Sequence, residues 1–242
     1  MTKLTVITGI TSVQGSSVAD AFIEDPDYTL RGVTRDPASE EAKTWASKGV
    51  EIVQGDFDDV KALEWAFHGA NVIFGELVEY CDEVELRHGK NLADAAASAA
   101  STLEVYVFSS MADATKSSGG KYKTLYHMDS KARAAVYARS LKALKGKFSQ
   151  VQAPAYFQVG TEWGLPVTPK KQPEGTWRKM GPGPGHKPIP FGDVRTDLGP
   201  CVKALVEQAP PDTNLFSVGE YLSWTDYLRI MCETKGSHVW SV

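Results

Sequence analysis

Apolar and polar positions along this chain follow two rhythms that take turns. The runs KLTVI, TLRGVTR, VEIVQGD, ANVIFGE, EVYVFSS and FSQVQA have the length and the apolar, often β-branched make-up of buried strands. Each of the first five is followed by helical spacing, over residues 16–24, 38–47, 59–67, 83–100 and about 127–144. Strands that alternate with helices predict a parallel sheet covered on both faces. The expected fold class is therefore α/β, a doubly wound parallel sheet of Rossmann type.

After Pro154 the texture changes. Residues 160–190 are rich in proline and glycine and keep neither period, so they read as loop, either a lid or a disordered stretch. This loop carries Trp163, Trp177 and the run GPGPGHKP. Beyond it, DLGPCVKALVEQ and SWTDYLRIMCE have helical spacing, with NLFSVG as a short strand between them. The expected organisation is a dinucleotide-binding domain over 1–153 and a smaller C-terminal substrate lobe over 154–242, packed as one unit.

Composition narrows the picture. At 242 residues there is room for one well-buried core and little more. A formal charge of -4 leaves no broad basic surface, so direct binding of nucleic acid is not expected. No stretch nears the roughly twenty apolar residues of a bilayer span, and no signal sequence opens the chain, which predicts a soluble, cytoplasmic protein. Cys81, Cys201 and Cys232 are odd in number and far apart, and His88, His186 and His238 are isolated; neither a disulfide framework nor a metal site is expected.

The candidate chemistry starts at TGITSVQGSSV, between the first strand and the first helix. Gly9 suits the sharp turn there, and Gly15 lets the helix pack closely on the strand; together they offer free backbone N–H groups to a dinucleotide pyrophosphate. Ser12 stands where the middle glycine of such a turn usually sits. The second strand ends in GVTRDPAS, where an arginine favours a 2'-phosphate and an acid favours a ribose 2'-hydroxyl. Arg35 is better placed than Asp36, which points to NADP(H); an exposed turn arginine is the plainer alternative. At the end of the third strand, Asp56 can meet the adenine amino group and Phe57 can flank its ring, while Asp58 and Asp59 start the next helix.

A proton donor is sought near LYHMDSKARAAV. At about 100° per residue, His127 shares a helix face with Lys131, whereas Tyr126 lies roughly 140° away. His127 is thus the candidate donor, with a surface residue at a helix start as the alternative. Ser109 and Ser110 are candidate hydroxyls for orienting a carbonyl, although one of them can simply cap the next segment.

The motifs TGITSVQGSSVADAF, VTRDPAS, GVEIVQGDFDD, GANVIF, HGKNLADAA, VYVFSS, HMDSK, APAYFQ and GDVRTDLG stand in the order and spacing of the NmrA-like family. This family is an atypical branch of the short-chain dehydrogenase/reductases, and the resemblance covers roughly residues 3 to 235. It implies an NADP(H)-binding Rossmann protein, either a reductase or a redox-sensing regulator. Carried over by motif, Gly9, Thr11, Ser12, Val13, Gln14 and Gly15 line the pyrophosphate, Arg35 meets the 2'-phosphate, and Asp56 and Phe57 meet the adenine. The resemblance further implies Phe74 and Gly75 beneath the cofactor, Tyr156 and Phe157 beside the nicotinamide, and Lys131 on the nicotinamide ribose within a His-x-x-x-Lys pair. Two departures are Ser12 itself and Gln152, where an arginine is usual.

Three functions stay open at this level. One is an NADPH-dependent reductase of a carbonyl or conjugated alkene in a small organic molecule. Another is a non-catalytic NADP(H) sensor acting through a protein partner, and the last is the same scaffold turned to non-redox chemistry. A monomer or a homodimer fits each of them.

Overall fold

A computed structural model describes residues 2–77, 82–160, 169–178, 185–234 and 240–241. Two compact units emerge, one formed by 1–152 with 198–216 and the other by 153–197 with 217–242. The stretch 198–216, expected in the C-terminal lobe, instead returns to the first unit.

The first unit is built on β1 (Lys3–Thr8), β2 (Tyr28–Thr34), β3 (Glu51–Gln54), β4 (Val72–Gly75), β5 (Val105–Ser110) and β6 (Phe148–Gln152). Neighbouring strands pair in parallel, in the spatial order β3-β2-β1-β4-β5-β6, and the strand Asn214–Phe216 extends the sheet beside β6. That is the doubly wound order, and chain direction across the sheet reverses between β1 and β4. Both faces are covered. Val6, Val33, Ile73 and Phe108 join one core with Leu63, Phe67 and Leu92, while Ile7, Ile10, Val18 and Phe22 are sealed as well.

Helices α1 (Val13–Phe22), α2 (Glu40–Ser47), α3 (Val60–Phe67) and α4 (Asp82–Ser98) follow the first four strands. Side-chain caps fix the first three starts: Ser12, Ser39 and Asp59 accept from the backbone N–H groups of Gly15, Ala42 and Ala62. Ser12 therefore starts α1 three residues before the apolar spacing alone placed it. After β5 comes a short helix not foreseen in the sequence, α5 (Ala114–Ser117), and then α6 (Tyr126–Ser140). Asp129 fastens the two together, its Oδ1 accepting from the Ala114 and Thr115 N–H groups at 2.7 and 3.1 Å. α6 ends earlier than its spacing implied, giving way to a 3-10 turn at Lys142–Leu144.

In the second unit the strand Pro188–Gly192 lies between Ala155–Tyr156 and Glu220–Ser223. Phe157, Phe191 and Tyr227 stack there, with Trp224 edge-on to Phe191. The motifs APAYFQ and GDVRTDLG meet in this sheet: Tyr156 pairs with Gly192, and the Gln158 amide donates to Asp193 at 2.6 Å. Helix α7 (Val194–Glu207), of which residues 198–207 belong to the first unit, and helix α8 (Trp224–Thr234) match the two late helical runs. Trp177 lies on the short strand Trp177–Arg178, so the 160–190 stretch is not loop throughout. Trp163, Cys81, His238 and the first part of GPGPGHKP lie outside the described residues. Among the described residues no helix is long and apolar enough to cross a membrane, and no cluster of His, Cys, Asp and Glu could hold a metal.

Candidate functional site

At the carboxyl ends of β1, β2 and β3 the first unit opens a cleft lined by Gly9, Thr11, Ser12, Val33, Thr34, Arg35, Gly55, Asp56, Phe57 and His88. Six expected binding residues, Gly9, Thr11, Ser12, Arg35, Asp56 and Phe57, are among those that line it. The turn itself is dictated by sterics. Gly9 has φ +62°, a left-handed conformation that suits glycine. A Cβ on Gly15 would stand 2.0 Å from the Gly9 carbonyl oxygen, so only glycine lets α1 come this close.

Ser12 does more than fill the place of a glycine. Its hydroxyl accepts from the Gly15 N–H at 2.9 Å and also bonds the carboxyl of Glu76, the residue after β4. Glu76 is 2% exposed, its N–H donates to the Thr8 hydroxyl at 3.0 Å, and its Oε1 has no hydrogen-bond partner among the described residues. A Cβ on Gly9 would lie 2.1 Å from that oxygen, which puts a carboxyl inside the glycine turn. Burial pushes the Glu76 carboxyl up to about 8, while the Ser12 bond and the Lys131 charge pull it only partly back.

The other expected site residues are spread more widely. Val13 and Gln14 open α1, and the Gln14 amide oxygen accepts from the Ser109 hydroxyl at 2.6 Å, joining two candidates across the ends of α1 and β5. Ser110 lies 3.4 Å from the Lys131 carbonyl oxygen. The Phe74 ring is sealed in the core, and Gly75 answers to packing, since a Cβ there would meet the Tyr106 hydroxyl at 2.8 Å. Neither lines the cleft. Tyr156 and Phe157 belong to the second unit, where the Phe157 ring is one layer of the aromatic stack.

His127 and Lys131 do share one face of α6, as their four-residue spacing implies. Burial first, and the Lys131 charge second, hold the His127 imidazole below its ordinary value, so it is neutral at pH 7. Lys131 is buried and ion-paired with Glu85 of α4, whose other oxygen accepts from the Ser130 hydroxyl. Glu85 is fully buried.

Three residues escaped sequence reasoning: Glu76, Glu85 and His88. The available signal for Glu76 was an acid directly after an apolar strand that ends in the binding face. His88 reaches the cleft because α4 passes the end of β3; it meets Phe57 edge-on at 5.7 Å, and its Nε2 lies 3.3 Å from Asp58 Oδ1. Arg87 and His88 hold the Asp58 carboxyl down at about 2. Asp58 is thus a clamp for α4 rather than a helix start, a role that falls to Asp59 alone.

A profile of the NmrA-like family matches residues 1–239. The chain belongs to the NmrA-like family. It is 29% identical over 228 residues to the NmrA-like family domain-containing oxidoreductase FrzB of Cladobotryum sp, covering 85% of this chain and 65% of that protein. It is 28% identical to the oxidoreductase ptmS of Penicillium ochrochloron, covering 94% and 71%. The chain therefore spans about two thirds of the length of these relatives. Among solved structures, NmrA, a negative transcriptional regulator crystallised in complex with NADP, superimposes with a TM-score of 0.86 at 23% identity, over 100% of this chain and 74% of that one. The triphenylmethane reductase of Citrobacter sp., complexed with NADP(H), gives 0.77 at 16%, over 99% and 78%. These two likenesses establish the fold of this NmrA-like chain.

Proposed function

We propose that this NmrA-like chain binds NADP(H) and acts as an NADPH-dependent reductase of a carbonyl or conjugated alkene in a small organic molecule. One observation carries the reading: Gly9, Thr11, Ser12, Arg35, Asp56 and Phe57 converge on a single cleft at the point where strand order reverses. The glycine turn and the N-terminus of a ten-residue helix fit a pyrophosphate, and Arg35 fits a 2'-phosphate beyond the end of β2. The oxidoreductase names of the relatives and the NADP complexes of the structural neighbours support the same reading.

Bound NADPH supplies the hydride. The chain supplies orientation and a route for the proton that completes the reduction. Ser109, whose hydroxyl donates to the Gln14 amide oxygen, orients a substrate oxygen by exchanging that bond for one to the substrate. His127, neutral near pH 7, donates a hydrogen bond and passes on a proton drawn from water. Lys131, fixed by Glu85, sets the field around His127. Incubation with NADPH and a panel of quinones and enals, followed by the loss of nicotinamide absorbance, tests turnover directly; at least one panel member is expected to be reduced, and His127→Ala to slow it by about 100-fold.

The buried Lys131–Glu85 pair also favours a second reading, a sensor that binds NADP(H) without turnover and signals through a protein partner. Binding with no oxidation across the panel would select it. In either case, Arg35→Ala is expected to weaken NADPH about tenfold while changing NADH less than about twofold, as read by titration calorimetry with both nucleotides.

A further inference from the structure

Glu76 is a costly residue to place where it stands. A side chain 2% exposed, with one carboxyl oxygen lacking a partner among the described residues, sits in the glycine turn that the preceding reading assigns to a pyrophosphate. An ionised carboxylate packed against Gly9, which lines the cleft, would lie close behind bound phosphate oxygens in a water-poor setting, where like charges repel strongly. A carboxylic acid in the same place has the opposite character, because its O–H is a donor aimed at acceptors.

We propose that Glu76 is a binding residue of this turn, a neutral carboxylic acid that donates its proton in a hydrogen bond to an oxygen of the bound dinucleotide, so that binding and protonation are coupled. The inference rests on the dinucleotide reading and deepens it.

The surroundings keep that acid neutral. From the β1–α1 turn it meets the Ser12 hydroxyl, and from β1 the Thr8 hydroxyl, which is occupied by the Glu76 N–H. β5 offers the Tyr106 hydroxyl beside Gly75, which burial pushes up and keeps uncharged. α6 brings the cation that acts on it, Lys131, but Glu85 of α4 already pairs with that ammonium. His127, held below its ordinary value, adds no charge above pH 7. The free protein therefore loses the Glu76 proton near pH 8, and phosphate oxygens in the turn move that loss to still higher pH. The sign follows: below about pH 8 the acid is already protonated and affinity is flat, whereas above it binding must take up a proton and weakens roughly tenfold per pH unit.

The test is titration calorimetry of NADPH and of NADH into the intact chain and its Glu76→Gln variant, from about pH 7 to pH 9.5, in two buffers of different ionisation enthalpy. The 2'-phosphate is largely ionised over this range and fully so above about pH 8, and NADH lacks it altogether. The expected result is proton uptake and a Kd that climbs roughly tenfold per pH unit above pH 8 for the native chain, with both effects absent in Glu76→Gln. Equal, flat pH profiles for the two proteins would overturn the inference while leaving dinucleotide binding intact. If neither protein binds either nucleotide at any pH, the dinucleotide reading fails and the role of Glu76 falls with it.

Discussion

Lys131→Ala is expected to destabilise the fold by about 3–5 kcal/mol, measured by urea unfolding, because it strands the fully buried Glu85 carboxylate without its cation. Replacing both partners, as Lys131→Met with Glu85→Gln, should restore stability to within about 1–2 kcal/mol of the native chain, since no buried charge is then left alone. This pair of variants also bears on function. A loss of turnover in Lys131→Ala alone confounds a damaged fold with a missing catalytic group, whereas the double variant keeps the fold and removes the charge beside His127. If the single variant unfolds like the native protein, the ion pair that ties α6 to α4 is not what holds this corner of the site.

Gly15→Ala is expected to have the next largest effect. The added methyl would lie 2.0 Å from the Gly9 carbonyl oxygen and 2.6 Å from its carbon, both main-chain atoms of a turn that is itself in the left-handed region. No side chain can swing away to make room. Either α1 retreats from the sheet or the turn opens; in both cases the N–H groups at the start of α1 lose their common aim. The cost should be about 2–3 kcal/mol of stability and at least about 100-fold in NADPH affinity, read by thermal unfolding and calorimetry on the same preparation. An alanine that bound NADPH as well as glycine would remove the turn from the binding site.

Much of this was legible in the chain because its signals are local. Strand and helix rhythms alternate over short windows, so six strands and the helices after them emerged near their observed places, and Gly9, Ser12, Gly15 and Arg35 sit beside the elements that position them. The doubly wound class was legible too, while the strand order itself came from the structure. What stayed hidden depends on distant partners. The strand Asn214–Phe216 gains its place only by pairing with β6, and nothing near Leu198 signals that the chain returns to the first unit. Glu76 and Glu85 read as ordinary acids until burial and the neighbours from α1 and α6 are known. His88 looked isolated because Phe57 and Asp58 reach it from another element. Ser12 was visible as a departure from glycine, but its double task, capping α1 and holding Glu76, required the geometry of the turn.

The most direct measurement is a calorimetric titration of NADPH and NADH into the purified chain near pH 7.5. The cleft formed by Gly9, Ser12, Arg35 and Asp56 predicts saturable binding of one nucleotide per chain, with NADPH preferred about tenfold over NADH. No heat of binding from either nucleotide up to millimolar concentration would contradict it.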